Sequence, residues 1–87
     1  METSSFFTEF FYKDRPVLAE IKPCCQEKNL FYYDVAIKNQ YQFTLSPTFE
    51  DEAIIWKVSF KNADKQVDPV LIDIIGNEIE KYILELN

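Results

Sequence analysis

A chain of 87 residues, 47% hydrophobic and 16% aromatic, carries enough apolar area for one core without metal or disulfide staples, which excludes intrinsic disorder. Nine basic residues against 15 acidic ones leave a net charge of −6. That balance argues against nucleic-acid binding and against anionic membrane surfaces, both of which need clustered Lys or Arg. The absence of His removes the commonest general base and metal ligand, and with them Ser-His-Asp and Cys-His nucleophiles. A single Gly leaves no Gly-rich phosphate loop, and two cysteines cannot complete a four-thiolate zinc site.

Taken in chain order, residues 5–12 alternate as a strand, with Phe6, Thr8, Phe10 and Tyr12 on one face and Phe7, Glu9 and Phe11 on the other. A turn follows at Lys13, Asp14, Arg15 and Pro16. Val17, Ala19 and Ile21 then alternate with Leu18, Glu20 and Lys22 in a half-buried second strand. Direct pairing across this turn places Phe6, Phe10 and Tyr12 with Val17, Ala19 and Ile21. A slip of one residue selects Phe7 and Phe11 instead. Residues 23–29 read as a polar connection carrying Cys24 and Cys25. Being adjacent, these cysteines cannot form an ordinary loop-closing staple.

Residues 30–38 form the third strand, with Phe31, Tyr33, Val35 and Ile37 on one face and Tyr32, Asp34 and Ala36 on the other. After a turn at Lys38, Asn39 and Gln40, a fourth strand groups Tyr41, Phe43 and Leu45 against Gln42, Thr44 and Ser46. Residues 47–52 read as a loop ending in Glu50, Asp51 and Glu52. The fifth strand directs Ile54, Trp56, Val58 and Phe60 inward. A polar link over residues 62–67 leads to a helix start at Asp68 and Pro69, an N-cap followed by a residue that needs no N–H donor. Val67 and Ile72 occupy hydrophobic-staple positions. Leu71, Ile75, Ile79, Tyr82 and Leu86 make a helical apolar stripe flanked by Ile74 and Ile83; Asp73, Asn77, Glu80 and Lys81 lie opposite. Glu78 borders the stripe and is expected to reach water along its stem. Gly76 costs about 1 kcal/mol relative to Ala in a helix, and close approach of the sheet is the expected reason for it.

The expected architecture is a single α+β domain over residues 1–87: a five-stranded curled antiparallel meander with one C-terminal amphipathic helix packed on one face. A two-layer domain covers only one face of its sheet, so the aromatic first strand has a surplus. The expected function is therefore a non-enzymatic protein-interaction or self-association module. Its partner-binding residues are Phe6, Phe7, Phe10, Phe11, Tyr12 and Tyr32, and its partner is another protein or a second copy in a homodimer. No catalytic residue, cofactor or metal is expected. Two alternatives stand beside this reading. One is a small apolar-ligand binder with a pocket between sheet and helix lined by Trp56, Tyr33, Phe43 and Ile79. The other is an acidic mimic that binds a basic protein. Without a basic leader at Met1, Glu2 and Thr3, and without a long apolar run, the expected location is cytoplasmic, away from membranes.

Overall fold

The computed structural model describes residues 5–27, 30–61 and 66–85, apart from the side chains of residues 25–27, 30 and 85. Five strands, β1 (Phe6–Tyr12), β2 (Arg15–Glu27), β3 (Leu30–Ile37), β4 (Gln40–Glu50) and β5 (Ala53–Lys61), pair in sequence order as one antiparallel sheet. Helix α1 (Pro69–Glu85) follows. The sheet is an open, curled meander with the helix packed on one face, within extents of 31 × 27 × 25 Å.

Three two-residue hairpin turns set the pairing. Lys13 and Asp14, Lys38 and Asn39, and Asp51 and Glu52 all have positive φ, between 48° and 67°. This is the primed-turn geometry whose twist matches the flanking strands, here built without glycine. The first turn is thus shorter than the expected four residues, and Arg15 and Pro16 belong to β2. Its even register pairs Phe6 with Ile21, Phe10 with Val17 and Tyr12 with Arg15. Direct pairing therefore holds, and Phe10 is buried while Phe11 faces away from the helix.

Three extra residues curl the sheet and correct the simple alternation. Cys24 is extra between the Pro23–Tyr33 and Cys25–Tyr32 pairs, so β2 continues through the segment expected to be a polar connection. Gln42 is extra between the Phe43–Val35 and Tyr41–Ala36 pairs, which moves Tyr41 to the outer face. Ser59 is extra between the Val58–Leu45 and Phe60–Thr44 pairs, which moves Phe60 outward too, 61% exposed. Each bulge adds one residue to a period of two and reverses every side chain beyond it. The loop expected at residues 47–52 is likewise strand as far as Glu50. The link at residues 62–65 and Leu86 lie outside the described residues.

The helix begins as expected. Asp68 Oδ1 accepts from the Val70 amide at 3.0 Å, and the Asp68 carbonyl accepts the first helical bond from Ile72 at 3.2 Å. Val67 and Ile72 both pack against the core, in keeping with a hydrophobic staple. The core comprises Phe10, Ala19, Ile21, Tyr33, Val35, Phe43 and Leu45 from the sheet with Ile75 and Ile79 from the helix. The helix lies between the two edge strands. It runs antiparallel to β1, since Asp68 meets Tyr12, Glu78 meets Thr8 and Tyr82 stacks on Phe6 with ring centroids 3.7 Å apart. On its other side it meets β5 at Trp56. A Cβ at Gly76 would overlap the Trp56 Cδ1 atom and come within 2.7 Å of Cγ and 2.9 Å of Nε1. The helix thus fills the mouth of an open half-barrel, and glycine is what lets it approach the indole.

Candidate functional site

The two faces of the sheet have different chemistry. On the inner face, three carboxylates of the helix segment accept hydrogen bonds from the edge strands. Tyr12 Oη donates to Asp68 Oδ2 at 2.5 Å, Thr8 Oγ1 donates to Glu78 Oε1, and Trp56 Nε1 donates to Glu80 Oε2 at 2.8 Å. Glu78 and Glu80 therefore tie the helix to the sheet, where sequence periodicity expects a side chain reaching to water and a wet face. Helix periodicity shows the direction of each side chain but not how closely two edge strands flank it. Glu78 also accepts from Lys81 Nζ at 3.0 Å.

The hydrogen bond from Thr8, assisted by Lys81, holds the Glu78 carboxyl below the ordinary carboxylate range. Asp68 is lowered by the Tyr12 hydroxyl, then by the Val70 amide and nearby Lys13. The same hydrogen bond raises the Tyr12 phenol, and burial raises that of Tyr33. Among the described residues, no buried side-chain nitrogen or oxygen lacks a hydrogen-bond partner. These carboxylates are thus held by ordinary structural bonds.

The outer face carries a row of apolar side chains. Phe7 is 65% exposed, Phe11 73% and Leu18 56%. Leu18 lies directly across from Glu9, so Phe7 and Phe11 are its two diagonal neighbours on the same face. Pro16, opposite Phe11, extends the patch. The three large side chains leave on the order of 300–400 Å² of apolar surface in one place. Farther along the same face polar pairs stand among exposed apolar side chains, Phe60 at 61%, Ile55 at 40% and Tyr41 at 38%. Thr44 Oγ1 donates to Asp34 Oδ1 at 2.6 Å and so accepts from Tyr41 Oη at 2.6 Å. Ser46 and Ser59 pair at 2.6 Å.

The six residues expected to form the partner surface divide between the two faces. Phe6, Phe10 and Tyr12 face the helix, where Phe10 joins the core and the other two pack against it. Phe7 and Phe11 lie on the outer face, and Tyr32 is half-buried. Leu18 belongs with the patch, and sequence reasoning places it there only through its register with Glu9. The four residues expected to line a pocket are packed instead. Tyr33 and Phe43 are buried among β3 and β4, Ile79 is fully enclosed, and Trp56 meets Tyr33 edge-on at 5.7 Å.

An open groove of about 610 Å³ lies elsewhere, lined by Phe7, Val17, Leu18, Ile37 and Leu71 with Arg15 and Lys38 among its polar residues. Among the described residues there is no group of three or more Cys, Asp or Glu placed to hold a metal ion, and no helix long and apolar enough to cross a membrane. No family model, curated protein or solved structure matches this chain.

Proposed function

We propose that this chain is a non-enzymatic protein-interaction module, and that the outer face of the β1–β2 hairpin is its docking surface. The observation that carries this reading is the adjacency of Phe7, Phe11 and Leu18, all more than half exposed, on the face turned away from the helix. A patch of roughly 300–400 Å² lies in the range of a monomer's largest apolar patch, and such patches are often functional. Aromatic side chains supply large contact area with few rotamers to freeze. The patch is smaller than the roughly 800 Å² per partner of a standard interface, so the contact also draws on neighbouring surface.

A photo-crosslinking residue placed at Phe11 tests this in the native cell, with Lys57 on β5 of the same face as the control. The expected result is one discrete adduct from position 11 and none from position 57. No adduct at position 11, or the same adducts at both positions, overturns the reading.

A further inference from the structure

We draw no further inference here: the strongest candidate, the open groove between the β1–β2 hairpin and the turn at residues 38–39, is lined by Glu20 as well as Arg15 and Lys38, and nothing in the structure shows what covers it.

Discussion

Phe10 and Phe11 are chain neighbours with identical chemistry, yet one is 8% exposed and the other 73%. The difference between the inner and outer faces is therefore one of register. The turn at Lys13 and Asp14 holds an even pairing, so Phe10 faces the helix with Val17 while Phe11 pairs with Pro16 on the outside. The inner face stabilises the fold, and the outer face is left for contact.

The sharpest test of that contrast substitutes both residues. Phe10→Ala is expected to cost about 3–5 kcal/mol through lost burial and a cavity, whereas Phe11→Ala stays within about 0.5 kcal/mol. Urea denaturation measures both. Similar losses at the two positions would mean that the faces do not differ as described.

Next in size is the contact between helix and edge strand. Gly76→Ala gains helix propensity but drives a methyl into the Trp56 ring, for an expected net loss of about 1–3 kcal/mol. Pairing it with Trp56→Leu should recover part of that loss in a double-mutant cycle, since the clash needs both groups.

Smaller effects come from the hydrogen bonds that hold α1 to the inner face. Asp68 and Glu78 have depressed folded pKa values, caused first by the Tyr12 and Thr8 hydroxyls. Their contribution is present above the unfolded value of about 4 and is lost as pH falls through the folded values. Stability should therefore decline on acidification below about pH 4, and Tyr12→Phe should flatten this limb. Tyr12 and Tyr33 have raised values, so their contribution is present below the unfolded value of about 10 and is lost as pH rises through the folded ones. Denaturation midpoints measured across pH report both limbs.

The smallest expected effect lies in the turns that assign residues to faces. Glu52 has a φ of 67°, a conformation glycine adopts without penalty. Glu52→Gly should stabilise by about 0.5–1 kcal/mol in thermal unfolding, leaving the register unchanged.

Much of this molecule was legible in its sequence. Alternation in the five strands, the Asp68–Pro69 helix start and the stripe through Ile75 and Ile79 are local patterns, and local patterns determine element type and order. The reason for Gly76 could also be anticipated, because a small residue at the edge of a buried stripe implies close approach. Half of the candidate site was visible as an aromatic surplus. Its division into core residues and surface residues was not.

Composition and periodicity thus determined by themselves an antiparallel meander with a capped, amphipathic helix. Only the tertiary structure decided where the alternation slips. The extra residues at Cys24, Gln42 and Ser59 accompany the curvature that wraps the sheet around α1, and they send Tyr41 and Phe60 to the outside. Likewise, the stagger between hairpins, which leaves residues 15–18 of β2 without a β3 partner among the described residues, depends on which strand outlasts its neighbour. A bulge or a ladder's end is a property of two strands together, set by sheet curvature and core packing.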